Sequence, residues 1–161
     1  MDADLQLKGL LGGVVQTEQT EAIVHCDPRS LALGTCEGPP PIEETETRRF
    51  SVGVGAVTHF SIPSRNSTVQ FRPQAGAYLF HPLDAAPALG AGLRHAPSRL
   101  ELGVQALYGA VSKNPGGLIG LDWQPARKTN LQVGGNFRYL DGPAFYFSAA
   151  WVFDFFPKTD S

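Results

Sequence analysis

The sequence predicts an all-β protein: eight antiparallel strands joined up-and-down and closed into a barrel. Three observations lead there. Apolar residues recur with a period of two in eight separate segments, short turn-forming stretches join most of them, and the composition disfavours helices. The 161 residues include 18 glycines and 13 prolines, with 17% charged and 42% hydrophobic residues. Glycine and proline at that density interrupt long helices, while the hydrophobic content is too high for a disordered chain. The length suits a single domain, 1–161, at roughly 150 residues per domain. No run approaches the roughly 18 consecutive apolar residues of a membrane-spanning helix. A net charge of −2 lacks the basic footprint of a nucleic-acid binder.

Each predicted strand has one apolar and one small or polar face. In 4–16, Leu5, Leu7, Leu11 and Val15 oppose Gln6, Lys8, Gly12 and Gln16. In 48–62, Phe50, Val52, Val54, Ala56, Phe60 and Ile62 alternate with Ser51, Gly53, Gly55, His59 and Ser61. In 68–80, Val69, Phe71, Ala77 and Leu79 oppose Gln70, Arg72, Gln74, Gly76 and Tyr78, and in 87–95 Leu89, Ala91 and Leu93 oppose Gly90, Gly92 and Arg94. Leu100, Leu102, Val104, Ala106 and Tyr108 alternate with Glu101, Gly103, Gln105, Leu107 and Gly109 in 99–112. The segment 117–124 sets Ile119, Leu121 and Trp123 against Gly120, Asp122 and Gln124, and 129–140 sets Leu131, Val133, Phe137 and Tyr139 against Gln132, Gly134, Asn136 and Arg138. In 144–156, Phe145, Phe147, Ala149, Trp151, Phe153 and Phe155 face away from Tyr146, Ser148, Ala150, Val152 and Asp154.

The connections are turn-forming: Pro63-Ser64-Arg65-Asn66-Ser67, His81-Pro82-Leu83-Asp84, Ala96-Pro97-Ser98, Asn114-Pro115-Gly116-Gly117, Pro125-Ala126-Arg127-Lys128 and Asp141-Gly142-Pro143. Links this short require antiparallel neighbours. The exception is 17–47, read as a long acidic loop with seven carboxylates, Glu43, Glu44 and Glu46 among them, against Arg29. Within it, Cys26 and Cys36 form a disulfide in the leading reading, which places the protein outside the reducing cytosol. Two unpaired thiols are the alternative, and zinc is disfavoured by a spacing that is not C-x-x-C. The start, Met1-Asp2-Ala3-Asp4, has no basic region followed by an apolar core, so either a signal peptide has been removed or the chain is cytosolic.

The polar faces decide which solvent meets which side. They carry Lys8, Arg72, Arg94, Glu101, Asp122, Arg138 and Asp154, about one charge per strand, among many amides and glycines. A water-facing sheet carries more Lys and Glu than this. Glycine costs strand stability with no packing return on an outer face, but alternates usefully with long side chains inside a narrow barrel. The apolar faces are therefore expected to meet lipid, and the seven charges to cross-pair as a luminal network. Phe50, Phe60, Trp123, Tyr139, Phe153 and Phe155 lie near strand ends, as interfacial aromatics do.

On these residues the whole chain resembles the small eight-stranded bacterial outer-membrane barrels. Trp151, Phe153 and Phe155 resemble the family's C-terminal signal, although residues 156–161 follow the aromatic that should be last. The resemblance implies a bacterial outer-membrane location with both termini periplasmic, the bilayer and the barrel-assembly machinery as partners, and loop 17–47 outside, where a protein partner could meet it. The leading expectation is a structural or surface-interaction role, extending to a subunit of an envelope assembly, with a narrow pore as the alternative. A soluble lipocalin-like carrier is the third reading, but the G-x-W motif of that family is missing.

Candidate chemistry is sparse. His59 and Ser61 resemble the His-x-Ser pair of outer-membrane lipid A deacylases, but the pair falls on the luminal face, away from acyl chains, and a hydrogen-bonded luminal histidine is the simpler reading. The acidic loop lacks the spacing of a calcium-binding EF-hand. No nucleotide, flavin or metal motif occurs in the sequence, so no enzyme activity and no cofactor are expected.

Overall fold

The computed structural model describes residues 2–21, 42–62, 68–81, 84–126, 129–140 and 142–155. Eight strands follow in chain order: β1 (Asp2–Glu21), β2 (Ile42–Ser61), β3 (Val69–His81), β4 (Asp84–His95), β5 (Leu100–Tyr108), β6 (Pro115–Trp123), β7 (Leu131–Tyr139) and β8 (Pro143–Asp154). Every sequential pair is antiparallel, and β1 pairs with β8 to close the barrel. Closure leaves the barrel wall itself without an edge to template aggregation.

The alternation read from the sequence places the faces. Gln6, Lys8, His59, Arg72, Gln74, Glu101, Gln105, Gln132 and Asn136 are buried inside, while Leu7, Val54, Phe71, Leu89, Leu102, Ile119, Leu121 and Trp151 are exposed outside. The outer face is that of a transmembrane barrel, apolar around its girth. Strands β5, β6 and β7 have nine residues each, which at about 3.3 Å per residue and a tilt near 40° span about 23 Å, close to the apolar band of such barrels.

Three expectations need correction. The stretch 17–47 is not a loop throughout, because β1 and β2 stay paired from Gln16 with Thr47 up to Glu21 with Ile42. Beyond Val14 in β1 and Val52 in β2, neither strand pairs with a third strand among the described residues, and the two continue as a two-stranded ribbon. Thr17, Thr20, Thr45 and Thr47 favour strand there despite the acidic composition. The strand expected at 87–95 begins three residues earlier, at Asp84, and β5 stops at Tyr108 rather than 112. Cys26 and Cys36 lie outside the described residues.

The early start of β4 has a side-chain cause. Asp84 is buried at the barrel rim and accepts hydrogen bonds from the Val111 amide (3.0 Å) and the Ser112 hydroxyl (2.8 Å), tying the start of β4 to the β5–β6 turn. Lys113 in that turn has φ 62°, and its amide donates to the Gly109 carbonyl. Asp84→Ala leaves the Val111 amide without its acceptor, so stability should fall by about 1–3 kcal/mol and hydrogen exchange should accelerate at Val111 before the strands are affected.

Candidate functional site

The bore is filled in layers. Nearest the termini is an ion cluster drawn from four strands. Arg72 Nη1 donates to Glu101 Oε2 (2.5 Å) and Nη2 donates to Asp4. Asp4 pairs directly across the ladder with His59, whose Nδ1 is 3.1 Å from Asp4 Oδ1 and whose Nε2 is 3.6 Å from Glu101 Oε1. Each carboxylate thus touches both Arg72 and His59, and the four side chains form a ring across the bore. Arg72 is only 1% exposed, a burial that this side chain tolerates because its charge is opposed on two sides.

From Glu101 a chain of amides runs along the wall. Gln74 Nε2 donates to Glu101 Oε1 (3.1 Å), Gln105 Nε2 donates to Gln74 Oε1 (2.8 Å), and the Tyr78 hydroxyl donates to Gln105 Oε1 (2.8 Å). A second ion pair crosses the bore above the first. Lys8 Nζ lies 2.6 Å from Asp122 Oδ2 and 3.1 Å from Asn136 Oδ1. Asn136 in turn donates to Ser148 Oγ (2.8 Å), which donates to Asp122 Oδ1 (3.2 Å). Between the two clusters is a cavity of about 20 Å³ lined by Lys8, His59, Gln74, Glu101, Asp122 and Asn136, room for about one water molecule.

Above these layers the bore becomes apolar. Leu10, Val14, Val57, Tyr78, Phe80, Leu107, Leu118, Leu140 and Tyr146 form one buried cluster inside the barrel. Tyr78 and Phe80 stack with centroids 5.7 Å apart. Gly55 pairs with Tyr78 and Gly53 with Phe80 across the β2–β3 ladder, and a Cβ at either glycine would collide with that ring. The luminal glycines therefore supply the space that the rings occupy.

Six of the seven charges expected in the lumen are found there in whole or part, but they do not form one network. Lys8 with Asp122, and Arg72 with Glu101, are buried pairs in separate clusters. Arg94 is half-buried towards the mouth and donates to Gln124 Oε1 (2.8 Å). Arg138 is buried higher up, where its guanidinium lies over the Phe80 ring at 4.3 Å and near Tyr146 at 5.5 Å, a cation–π contact in the apolar layer. Asp154 is a correction of place. It is exposed at the last position of β8 rather than buried in the network, because the strand reaches the rim there.

The sequence reading left Asp4 out of the site, although it shares the alternation of Gln6 and Lys8. Both nitrogens of His59 face carboxylates, and Ser61, two residues along the strand, is not its partner in the ring. Among the described residues no group of three or more His, Cys, Asp or Glu side chains is placed to hold a metal ion. The arrangement does one thing physically: it closes the bore with paired charge at one end and packed rings at the other.

The sequence matches no protein-family model and no curated protein. Among solved structures, a de novo designed transmembrane β-barrel is similar at 10% identity and a TM-score of 0.47, covering 92% of this chain and 95% of that one. Neisserial surface protein A is similar at 12% identity and a TM-score of 0.40, covering 93% and 95%. The attachment invasion locus protein Ail of Yersinia pestis is similar at 9% identity and a TM-score of 0.33, covering 94% and 99%. At such scores these are likenesses of gross shape, and assignment of the outer face to lipid rests on the side chains.

Proposed function

We propose that the protein is an integral β-barrel of a bacterial outer membrane, non-conducting and non-enzymatic, that acts as a structural or surface-interaction protein through its β1–β2 ribbon. The observation that carries this is the inversion of polarity: ion pairs buried inside and large hydrophobic side chains exposed all round the outside. In water that exterior would be an aggregation surface many times the few hundred Å² that soluble monomers expose. In a bilayer it is the solvated face.

The ribbon supports the second half of the proposal. Its paired residues beyond the barrel wall extend about 23 Å at about 3.3 Å per residue. Arg48 and Arg49 are exposed immediately above Phe50, with Glu44 and Glu46 exposed further out. Cations at headgroup level with anions beyond them suit an anionic membrane surface. With the termini in the periplasm, the ribbon stands outside the cell. Trp151, Phe153 and Phe155 project outward from the last strand, where the barrel-assembly machinery would read them.

Protease added to intact cells expressing the protein should cut within 22–41 and leave the remainder protected. Cleavage only after the outer membrane is opened would reverse the orientation, and recovery in the soluble fraction would end the membrane reading. In planar bilayers the purified barrel should show no steady conductance, because both clusters and the ring layer block the bore. Discrete, stable channels would favour a pore instead.

A further inference from the structure

The outer face of β7 has a gap. Gly135 points outward at mid-strand, paired with Leu121 of β6 and Phe147 of β8, and a Cβ built there meets nothing within 4 Å. Around it is an open trough of about 510 Å³, walled by Ile119 and Leu121 on one side and Phe145 and Phe147 on the other. Phe137 closes one end against Phe145, with ring centroids 4.8 Å apart. Beside this hole stands a knob. Phe147 is 81% exposed, the most exposed large hydrophobic side chain among the described residues.

We propose that this face is a self-association surface, on which Phe147 of each of two copies of the chain fills the Gly135 trough of the other. The proposal rests on the bilayer reading above. Two copies inserted in the same direction can be related by a twofold axis only if it lies along the membrane normal, and such an axis preserves height. Knob and hole must therefore sit at the same level on one copy. Cross-strand partners about 4.8 Å apart on strands tilted near 40° differ in height by about 3 Å, less than the length of a phenyl ring. An axis running between β7 and β8 then brings each Phe147 opposite the other copy's Gly135, as an isologous contact requires.

The area is sufficient. Phe145, Phe147, Trp151 and Phe153 form an outward ridge with exposures of 64, 81, 51 and 44%. At roughly 200 Å² per aromatic side chain the ridge offers about 500 Å² per copy, so two copies reach the ~1,000 Å² of a specific interface. Hydrocarbon solvates apolar surface as well as protein does, so association in a bilayer depends on close approach at small residues rather than on apolar area alone. Gly135 supplies that approach, whereas an acyl chain in the trough would leave Phe147 projecting.

The test is energy transfer between donor- and acceptor-labelled copies of the full chain in phosphatidylcholine vesicles, with heat-modifiable electrophoretic mobility as the check that each variant is folded. Wild type should associate. Gly135→Leu, which fills the trough and whose Cβ meets nothing of its own barrel within 4 Å, and Phe147→Ala should each weaken association about tenfold or more. Leu79→Ala, on the far wall in β3, should leave it unchanged. Gly135→Phe combined with Phe147→Ala moves the knob to β7 and the hole to β8, and should restore association. A wild type that is inserted but monomeric overturns the proposal, as does association indifferent to Gly135→Leu, or a monomer from which Gly135→Leu displaces a co-purified lipid. Release of the protein from vesicles by alkaline washing overturns the bilayer reading itself.

Discussion

Glu101→Ala should lower the unfolding free energy of the barrel by about 3–5 kcal/mol, the range for removing one partner of a buried ion pair. Glu101 accepts from Arg72 and from Gln74 and faces His59 Nε2, so truncation leaves a 1%-exposed guanidinium with Asp4 alone. The amide chain through Gln74 and Gln105 to Tyr78 loses its terminal acceptor as well. Removing both charges still leaves Asp4 with only His59, so replacing Arg72 by Met together with Glu101 by Leu should cost less than the two single changes added together, since each single change also strands the other partner. Urea unfolding in detergent or lipid, read by tryptophan fluorescence, measures each of these variants. A Glu101→Ala effect within the ±0.5 kcal/mol or so of an ordinary surface substitution would mean that the cluster faces bulk water, and the inside and outside of the barrel would have to be exchanged.

Val104→Arg should be nearly as damaging, for the opposite reason. Val104 is at the middle of β5, paired with Ala91 and Ile119, and 53% exposed to whatever surrounds the barrel. If the surroundings are hydrocarbon, an arginine at mid-depth costs about 2–4 kcal/mol. In water, the same substitution at a half-exposed strand position would be close to neutral or improve solubility. Equilibrium unfolding in phospholipid vesicles gives the number, and the same change at Val111, exposed in the β5–β6 turn and clear of the band, should cost little. Equal effects at the two sites would contradict a lipid-facing wall.

Strand count, face assignment and much of the barrel's interior were legible in the residues because a period of two is local. Each segment announces its own two faces, and turns of a few residues force neighbours to be antiparallel. Hence Lys8, Arg72, Glu101 and Asp122 could be put in the lumen without knowing what any of them touches. Asp4 was legible by the same rule. The ends of the strands were not, because Asp84 begins β4 through hydrogen bonds to Val111 and Ser112, and the acidic arms at 17–21 and 42–47 continue as strand because each has the other beside it.

The sequence by itself determined a barrel with an apolar outside and a polar inside, since alternation and turn length act over a few residues. Tertiary structure alone decided the partners, since these depend on which strands face one another across the bore. Arg72 on β3 meets Asp4 on β1 and Glu101 on β5, two strands away on either side. Lys8 crosses to Asp122 on β6, and Arg138 lies over the faces of Phe80 and Tyr146. The trough beside Phe147 belongs to the same class of fact: Gly135 reads in sequence as one more glycine of a glycine-rich strand, and becomes a hole only when Leu121 and Phe147 are set on either side of it.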